Sequence, residues 1–491
     1  MTGFLVGDIF RNAARAAPDR VAVVVGDDSL TFGRLDRRAN GSARALAEMG
    51  LRPGDRAVVW SGTTLDIVVG FAACAKAGIV FVPVNPGLGT EEAEPIVGAA
   101  RPAVVIADSD RLDAARRIGA RLAVPVVALG DVVGAESVID AHVEIDDTAP
   151  HVVFFTSGST GRAKGAVLSH RVNVLRTHPG AQFEPRGATV CMFPLFHMAG
   201  WTIAMQQWQA RGAVILVHSA DPASLCAAVA EHQAQRLNCI PLVWRRIIEY
   251  LASAGAPPHA LASLRYADTG TSATPLELLH GIQRAVTNAT VRVFYGSTEA
   301  GNVLTLEAID FDRKPGSVGV PSLHTSVRIR ESGELEVSGP LLFDGYWGDP
   351  QATAAAIENG WYRTGDLAEI DDDGFVAIVG RANTVIRTGG EGVVPTEVEA
   401  ALRGHPALAD VAVVGISDDH YGEIVCAVVV THAAVDRPTL DELRAFAGEN
   451  LAGFKLPRRL EFVDSIPRTA ATGQVQRHLI LELLPSQDPR E

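Results

Sequence analysis

Short apolar runs rich in β-branched residues alternate with longer segments rich in Ala, Leu and Arg along most of the chain. The apolar runs have the length and composition of buried strands, and they are Val21–Val25, Arg56–Trp60, Val80–Val84, Ala103–Ala107 and Val126–Leu129. The segments Leu35–Met49 and Asp66–Lys76 have helical periodicity, and Gly50 stands where a helix commonly ends in glycine. This alternation predicts α/β layers built on parallel sheets.

A glycine-rich stretch at Gly380–Thr388 follows the strand-like segment Phe375–Val379 and indicates a domain boundary. Beyond it the pattern starts again, with a helix predicted at Pro395–Leu402, strands at Val411–Gly415 and Ile424–Val430, and a helix at Leu440–Leu451. These elements predict a compact α+β unit of about 110 residues, a common size for a small domain.

The composition excludes several classes of protein. Of the 491 residues, 47% are apolar, which is ample for a large core. A formal net charge of −14 argues against a nucleic-acid partner or an anionic membrane surface, because both require basic patches. No signal peptide is evident, and no apolar run reaches the roughly 18 residues that a membrane span needs. The five cysteines are scattered without a CxxC pair, which argues against a disulfide framework or a zinc site and favours a reducing cytoplasm.

A loop of hydroxyl residues and glycines leaves the apolar run Val152–Phe155 and ends at a lysine. Glycines let backbone N–H groups approach an anion, hydroxyl groups donate further hydrogen bonds, and an ammonium adds positive charge. Lysine is rare in this chain, so its presence here favours a phosphate-binding loop over the alternative of a flexible surface loop. The Gly-Lys-Ser/Thr spacing of a Walker A loop is absent. The candidate residues are Thr156, Ser157, Gly158, Ser159, Thr160, Gly161 and Lys164.

The segment Thr156–Gly165 resembles the signature loop of the adenylate-forming (ANL) superfamily, which includes acyl-CoA synthetases, aryl-CoA ligases, luciferases and the adenylation domains of nonribosomal peptide synthetases. In that family the loop holds the β- and γ-phosphates of ATP; Ala163 stands here where the family commonly has proline. The resemblance extends from about Ile9 to Leu483. It implies an α/β fold with an N-terminal AMP-binding domain of two α/β subdomains and a distorted β-barrel at 1–380, a hinge at 381–384, and a small mobile α+β C-terminal lid domain at 385–491.

Further segments resemble the family's nucleotide motifs. In the segment Tyr295–Glu299, the resemblance implies that Tyr295 stacks on adenine, Thr298 contacts the α-phosphate and Glu299 holds Mg²⁺, for which a carboxylate is a suitable ligand. Asp366 resembles the aspartate that binds both ribose hydroxyls. Taken singly, Glu299 could instead be a solvated acid and Asp366 could cap a turn. The remaining nucleotide-binding residues implied by the resemblance are Gly270, Thr271, Gly296 and Arg381.

The resemblance also implies sites for the acyl group and CoA. The segment Pro194–Gly200 resembles the one whose histidine, here His197, lines the acyl and pantetheine channel. By family position the acyl pocket is lined by His197, Met198, Trp201, Trp244, Gly270 and Ser297. His197 could instead be a core histidine, and both tryptophans could be core aromatics. The segment 389–395 resembles the loop that forms the CoA tunnel, with candidate residues Gly389, Gly390 and Glu391.

Three departures from the family pattern bear on function. Asn383 replaces the usual Asp or Lys at the hinge, and Gly392 stands where many relatives carry Asn. The segment Asp268–Pro275 is more polar and bulkier than its family counterpart, which lines the acyl and adenine pockets. We therefore expect a working hinge and an unusual acid, which could be fatty, aryl or polycyclic, such as a terpenoid.

The largest departure is at the C-terminal catalytic loop. In the family, a lysine at the end of a Pro-x-x-x-x-Gly-Lys pattern bridges the substrate carboxylate and the α-phosphate during adenylate formation. Here Gln474 stands at that position, and the loop from Pro467 to Gly473 is one residue longer. Gln is neutral, and loss of one preorganised electrostatic donor costs about 10²–10³ in rate in comparable sites. Arg468 or Arg477 could in principle substitute, although a guanidinium is bulkier than an ammonium.

Three hypotheses follow for this acyl-CoA-forming chain. The first is an ordinary ATP-dependent acyl-CoA synthetase, which takes a small carboxylic acid, ATP with Mg²⁺, and CoA through both half-reactions. The second, which the sequence favours, is an enzyme impaired in adenylation that transfers a preformed acyl-AMP, supplied by a partner ligase, to CoA. The third is a catalytically silent protein that binds acyl or nucleotide ligands. The motifs for the second half-reaction are present, whereas Gln474 affects mainly the first.

Overall fold

The computed structural model describes residues 3–141, 143–156, 163–183, 187–253, 257, 259–388, 391–418, 420–433, 435–448, 450–469 and 473–484. Several predicted site residues lie outside the described residues: Ser157, Gly158, Ser159, Thr160 and Gly161 of the phosphate loop, and Gly389 and Gly390 of the CoA loop. The backbone of Asn383 is described and its side chain is not.

The chain folds into two compact units. The first comprises Met1–Pro315, Pro321–Ser326 and Val337–Tyr362, and the second comprises Gly316–Val320, Val327–Glu336 and Arg363–Glu491. The hinge at 381–384 stays a prediction.

Side-chain caps and glycines mark the ends of several helices. The Thr64 side chain accepts from the Ile67 N–H at the start of α3, and Gly78, with φ of 69°, ends it. The helices are α1 Val6–Ala16, α2 Phe32–Glu48, α3 Leu65–Ala77, α4 Thr90–Ala100, α5 Leu112–Leu122, α6 Leu129–Val133, α7 His170–Phe183, α8 Met198–Gln209, α9 Pro222–Glu231, α10 Pro241–Leu251, α11 Leu276–Ala285, α12 Pro350–Ala356, α13 Pro395–Leu402, α14 Leu440–Gly448 and α15 Arg477–Leu483. Short 3₁₀ helices lie at Ala308–Asp310, Ala382–Thr384 and Gly453–Lys455.

No described helix has the length and apolar character needed to cross a membrane.

The strands are β1 Val21–Val25, β2 Asp28–Thr31, β3 Arg56–Trp60, β4 Val80–Val84, β5 Val104–Ala107, β6 Val126–Ala128, β7 Pro150–Thr156, β8 Lys164–Ser169, β9 Thr189–Cys191, β10 Val214–Leu216, β11 Arg236–Asn238, β12 Tyr266–Gly270, β13 Thr290–Ser297, β14 Gly301–Glu307, β15 Val320–Pro321, β16 Ser326–Ile329, β17 Glu334–Ser338, β18 Gly345–Tyr346, β19 Ile357–Glu358, β20 Trp361–Ile370, β21 Val376–Arg381, β22 Ile386–Thr388, β23 Glu391–Val393, β24 Leu408–Asp418, β25 Gly422–Thr431 and β26 Arg459–Phe462.

These strands form four sheets within the described residues. The first has the order β15-β14-β13-β12-β11-β9-β10-β1-β2, with parallel pairing from β13 to β1. The second has the order β18-β8-β7-β4-β3-β5-β6, with parallel pairing from β7 to β6. The third has the order β16-β17-β20-β19 with β21 on β20, and the fourth β23-β22-β25-β24 with β26 on β25. Mixed α/β layers of this kind agree with the predicted fold class.

The apolar pattern located the central elements well. The strands predicted at Val21–Val25, Arg56–Trp60 and Val80–Val84 have the predicted bounds. Leu129 was predicted at the end of a strand but begins α6, because Leu129, Val132 and Val133 are buried together at helical spacing. In the fourth sheet, the apolar faces of β24 and β25 bury residues on both sides, against α13 and α14 and against Ile466 and Ile480.

Candidate active site

Several site candidates of the first unit lie at or just after the carboxyl ends of neighbouring parallel strands. The strands β9, β11, β12 and β13 are adjacent and parallel. His197 follows β9, Thr271 follows β12, and Glu299 follows β13. Carboxyl ends of adjacent parallel strands share one edge of the sheet, which is where open α/β sheets bind ligands. The topology therefore places the predicted acyl, adenine and metal residues along one edge.

The predicted phosphate loop is anchored at both ends by an antiparallel pair. Thr156, the last residue of β7, pairs with Lys164, the first residue of β8, and the Thr156 hydroxyl donates to the Lys164 carbonyl oxygen at 3.4 Å. The Lys164 ammonium lies 5.1 Å from the centre of the Tyr346 ring, within range of a cation–π contact. Tyr346 reaches this position because β18 pairs with β8.

A tight turn presents Thr298 and Glu299. The strands β13 and β14 pair antiparallel, and the Ser297 hydroxyl accepts from the Ala300 N–H at 3.1 Å. Gly296 is required in this turn, because a Cβ there would overlap the Gly301 carbonyl oxygen. The two polar side chains predicted to contact the α-phosphate and Mg²⁺ thus lie at the tip of a hairpin with little freedom to move.

Arg176, on the buried face of α7, holds this turn by hydrogen bonds to its backbone. Its guanidinium donates to the backbone carbonyl oxygens of Thr298, Glu299 and Leu341, each at 2.8 Å. Burial lowers the pKa of Arg176 to about 10, so the side chain is charged at neutral pH. Sequence reasoning missed Arg176; the available signal was an arginine four residues after Val172, on the face of the helix that packs inward.

Two neutral tyrosines surround the Glu299 carboxylate. The Tyr346 hydroxyl donates to Oε1 of Glu299 at 3.1 Å. Burial, followed by the charge of Glu299, raises the pKa of both Tyr346 and Tyr362, so both phenols stay protonated. The Phe343 ring packs edge-on against both tyrosines, with centroids 4.9 and 5.6 Å apart. This packing orients the hydroxyl that donates to Glu299.

The donor chemistry at Glu299 suits Mg²⁺ that arrives with a nucleotide. Mg²⁺ is usually held by one or two carboxylates together with substrate phosphates. Glu299 supplies one carboxylate, and no group of three or more His, Cys, Asp or Glu in the described residues could hold a metal alone. When bound, Mg²⁺ would neutralise phosphate charge.

Gly270 and Thr271 form a constrained wall at the end of β12, beside Phe294 of β13. Gly270 pairs with Phe294, and a Cβ at Gly270 would overlap the Phe294 carbonyl oxygen. Thr271 has a φ of 69°, a left-handed conformation that is uncommon for a β-branched residue. Strained backbone of this type is often found at ligand sites.

The unusual Asp268 is part of a buried ion-pair network under this wall. Its carboxylate pairs with Arg236 at 2.6 Å and with Arg292 at 2.8 Å. Burial raises its pKa, but the two arginines outweigh that effect and hold the pKa below the usual range. The Trp244 indole N–H donates to the Asp268 carbonyl oxygen at 2.8 Å. Asp268 therefore links three strands and α10, and it points into the protein core.

The predicted acyl-pocket residues fall into two groups. His197 caps α8 by accepting the Ala199 N–H at Nδ1, at 3.2 Å, and desolvation lowers its pKa to about 4, so the ring is neutral at physiological pH. Met198 follows it, and its sulfur accepts from the Thr202 hydroxyl. Trp201 and Trp244 are fully buried, and Trp201 stacks on Phe71 with centroids 3.9 Å apart. The structure places both tryptophans among buried residues, and their part in an acyl pocket stays a prediction.

The second unit brings the predicted ribose and hinge residues together. Asp366 on β20 lies opposite Arg381 on β21, and the Arg381 Nε is 2.6 Å from the Asp366 carboxylate. Glu391 begins β23, and its side chain is exposed. The Thr396 hydroxyl donates to the Val379 carbonyl oxygen and connects α13 to β21.

Gln474 lies in a narrow hairpin in the second unit. The Thr469 N–H donates to the Gln474 carbonyl oxygen at 2.9 Å, and the Gln474 N–H donates to the Thr469 hydroxyl at 3.1 Å. Arg468 binds both oxygens of Asp410, at 2.9 and 3.0 Å. Arg477 pairs with Glu399 and donates to the Val413 carbonyl oxygen. Arg468 and Arg477, the two arginines considered as substitutes for a lysine at position 474, are therefore both engaged in ion pairs.

Comparison with known proteins identifies the family. The AMP-binding enzyme family matches residues 10–347, and the AMP-binding enzyme C-terminal domain matches residues 397–472. A feruloyl-CoA synthase from Amycolatopsis sp is 34% identical, over 94% of this chain and 97% of the relative. A CoA ligase from Rhodococcus jostii (strain RHA1), named for an octahydro-indenyl propanoyl group, is 32% identical over 96% of this chain and 97% of the relative.

Solved structures agree with this match. ATP-bound MatB from Rhodopseudomonas palustris superposes with a TM-score of 0.86 at 28% identity, covering 97% of this chain and 98% of that one. The o-succinylbenzoate CoA synthetase MenE from Bacillus subtilis, in complex with its acyl-adenylate, superposes with a TM-score of 0.85 at 25% identity, covering 98% of both chains. The chain belongs to the AMP-binding enzyme family of the ANL superfamily, and within it to the acyl-CoA ligases.

Proposed function

We propose that this acyl-CoA ligase acts mainly in the second half-reaction and takes a preformed acyl-AMP as its substrate. The CoA sulfur attacks the acyl carbonyl carbon, the carbon–oxygen bond to the phosphate breaks, AMP leaves with the electron pair, and the thiol proton passes to solvent. The observation that carries the proposal is the sequence Gly473-Gln474, which by its resemblance to the family's Gly-Lys pair puts a glutamine in place of the adenylating lysine.

The surroundings of Gln474 support an impaired first half-reaction. Adenylate formation brings a carboxylate against a phosphate, and a neutral amide does not offset the repulsion between two anions. Arg468 and Arg477 would have to leave Asp410 and Glu399 to supply that charge. Each arginine also donates a hydrogen bond to a backbone carbonyl oxygen. Moving either arginine away from its carboxylate would therefore break several interactions.

The residues proposed for the second half-reaction are retained. Asp366 would hold the ribose of the acyl-AMP, His197 would line the channel as a neutral imidazole, and the loop at 389–395 would contact CoA. Thioester formation from an adenylate needs no ammonium between two anions, since the phosphate is already esterified. A partner ligase would supply the acyl-AMP.

For the acid we propose a ring-bearing carboxylic acid. Relatives at 34% and 32% identity are named for feruloyl and octahydro-indenyl propanoyl groups, and others at 28% for 2-succinylbenzoate. A fatty-acid ligase also matches, at 29%. The feruloyl and octahydro-indenyl propanoyl names both describe acids with a ring joined to a short carboxylate arm.

The second candidate is an ordinary ATP-dependent synthetase. The names of the relatives and the retention of Lys164 and Glu299 favour it. The third candidate, a silent binding protein, would be expected to have lost several motifs at once.

One comparison separates the three candidates. The purified protein is given ferulate, 2-succinylbenzoate or palmitate with ATP, Mg²⁺ and CoA, and in parallel the corresponding synthetic adenylates with CoA alone. Thioester from an adenylate but not from its acid supports the proposal, and thioester from both supports the ordinary synthetase. No thioester from any adenylate, with AMP binding retained, supports the silent protein.

A further inference from the structure

Residues 341–347 connect the two charged groups of the nucleotide site. The Phe343 N–H donates to the Glu299 carbonyl oxygen at 2.7 Å, at the turn that carries the proposed metal ligand. The Trp347 N–H donates to the Gly165 carbonyl oxygen at 2.7 Å, one residue after Lys164. One short segment is therefore hydrogen-bonded to both the phosphate-loop strand and the Glu299 turn.

Tyr346 contacts both charges from within this segment. Its hydroxyl donates to Oε1 of Glu299 at 3.1 Å, and its ring lies 5.1 Å from the Lys164 ammonium. Its own backbone is fixed, since the Tyr346 N–H donates to the Thr353 hydroxyl at 2.8 Å. The side chain is half-buried, so these contacts are only partly screened by water.

Lys164 and Glu299 do not pair with each other. No ion pair joins them in the part of the chain that the structure describes, although opposite charges on neighbouring segments attract. A phenol placed between them satisfies each separately: its ring face attracts the ammonium, and its hydroxyl binds one carboxylate oxygen. Among the described residues, no hydrogen bond is made to Oε2 of Glu299, which leaves that oxygen for a metal.

We propose that Tyr346 is a positioning residue that keeps Lys164 and Glu299 apart, so that the ammonium is available to nucleotide phosphates and the carboxylate to their Mg²⁺. This inference rests on the nucleotide-binding part of the proposed function. It requires that the site binds ATP with Mg²⁺, whichever half-reaction the enzyme then performs. Without the phenol, the two charges would neutralise each other before a nucleotide binds.

Two substitutions separate the two contacts. Tyr346→Phe keeps the ring over Lys164 and removes only the hydroxyl, whereas Tyr346→Leu removes both contacts. Tyr250→Phe, on α10, is the matched control, because it removes a tyrosine hydroxyl elsewhere in the same unit. Thermal unfolding of all three variants verifies that they are folded.

The readout is ATP affinity by calorimetry, with excess Mg²⁺ and with EDTA. For Tyr346→Phe we expect the strengthening of ATP binding by Mg²⁺ to fall about tenfold, while affinity in EDTA changes little, since a hydrogen bond to a charged group is lost at the metal ligand alone. For Tyr346→Leu we expect ATP affinity to fall about tenfold in EDTA as well. Tyr250→Phe should match the wild type in both conditions.

A double-mutant cycle with Glu299→Gln provides the second measurement. Tyr346→Phe should cause no further loss of the Mg²⁺ effect in the Glu299→Gln background, because the two residues act together. Equal weakening in Mg²⁺ and EDTA would indicate a purely structural role and overturn the inference, as would a wild-type protein whose ATP binding ignores Mg²⁺. Thioester formation from feruloyl-AMP and CoA, measured in EDTA, tests the proposed function separately.

Discussion

At the scale of single residues, function depends on which charges are free to meet a ligand. In the first unit Asp268 is paired with two arginines, and in the second unit Arg468 is paired with Asp410 and Arg477 with Glu399. Gln474, which the resemblance to the family aligns with its lysine, is uncharged. The proposed impairment of adenylate formation rests on this neutral glutamine and on the two arginines already being paired.

Under the proposed function, a lysine introduced at position 474 should increase the first half-reaction. We expect Gln474→Lys to raise acid-dependent pyrophosphate release from ATP by about 10²-fold, since it supplies one electrostatic donor. Gln474→Met, which is similar in length and uncharged, is the control and should have no such effect. The same lysine combined with deletion of Ala471 tests whether the longer loop also limits the reaction. Unchanged pyrophosphate release in both lysine variants would show that the block lies elsewhere.

Loss of the buried Arg176 side chain should destabilise the protein more than loss of the half-exposed Arg171 side chain on the same helix. Arg176→Met removes three hydrogen bonds from a charged donor and leaves the carbonyl oxygens of Thr298 and Leu341 without it, while that of Glu299 keeps the Phe343 N–H. The change should lower the free energy of unfolding by about 3 kcal/mol or more. Arg171→Met on the same helix loses one ion pair, on a side chain that is 49% exposed, and should cost below about 1 kcal/mol. Urea unfolding of the two variants measures both values, and equal costs would contradict the role assigned to Arg176.

At the scale of elements, hydrophobic pattern predicted the central strands and helices but not their neighbours. The strand β4 is apolar at every position and buried throughout, so its type and bounds were clear from the sequence. The pairing of β1 with β10 was not predictable, because it joins residues far apart in sequence without a local signal. Short edge strands such as β18 were also missed, although β18 carries Tyr346 to Lys164.

The site residues divide in the same way: those with a local sequence signal were predicted, and those that depend on distant contacts were not. Residues in motifs that resemble a family, such as Lys164, Glu299 and Asp366, were found from the sequence. Arg176 and Tyr346 were not, because their importance arises from contacts across the fold. An arginine in a helix and a tyrosine after a glycine are ordinary locally, and only tertiary structure brings both to Glu299.

The hairpin around Gln474 gives a prediction about rescue by arginine. Because Arg468 and Arg477 hold the hairpin and α15 through ion pairs, we expect Arg468→Met and Arg477→Met to lower stability without lowering the residual rate of pyrophosphate release. Comparing that rate per folded protein with the wild type tests this expectation. If either variant abolishes a measurable wild-type rate, that arginine has replaced the lysine and the first half-reaction is supported by it.

At the scale of the whole molecule, buried histidines make stability depend on pH. His151 and His170 lie in the core with ring centroids 4.9 Å apart, and burial lowers the pKa of both, that of His170 to about 4. The unfolded chain takes up protons near the ordinary histidine pKa of about 6.5, whereas the folded chain takes them up only at lower pH. Stability is therefore expected to fall as the pH decreases from about 6.5 towards 4.

His170 alone should account for about 3 kcal/mol of this loss at pH 4, as an order of magnitude. His170→Asn, which keeps an acceptor for the Val6 N–H, should flatten the decrease between pH 6.5 and 4.5. His218→Asn, at an exposed position, should leave the pH profile unchanged. Urea unfolding at a series of pH values gives the profile, and an identical slope for His170→Asn and the wild type would contradict the assignment.

Comparing the rates of the two half-reactions tests most directly the proposal that the enzyme acts mainly in the second one. The measurement is the ratio of two rates on one enzyme preparation: thioester formation from feruloyl-AMP and CoA, divided by thioester formation from ferulate, ATP, Mg²⁺ and CoA. An intact second half-reaction with an impaired first one predicts a ratio of about 10² or more. A ratio near one would contradict it and identify an ordinary synthetase that adenylates its acid without the lysine.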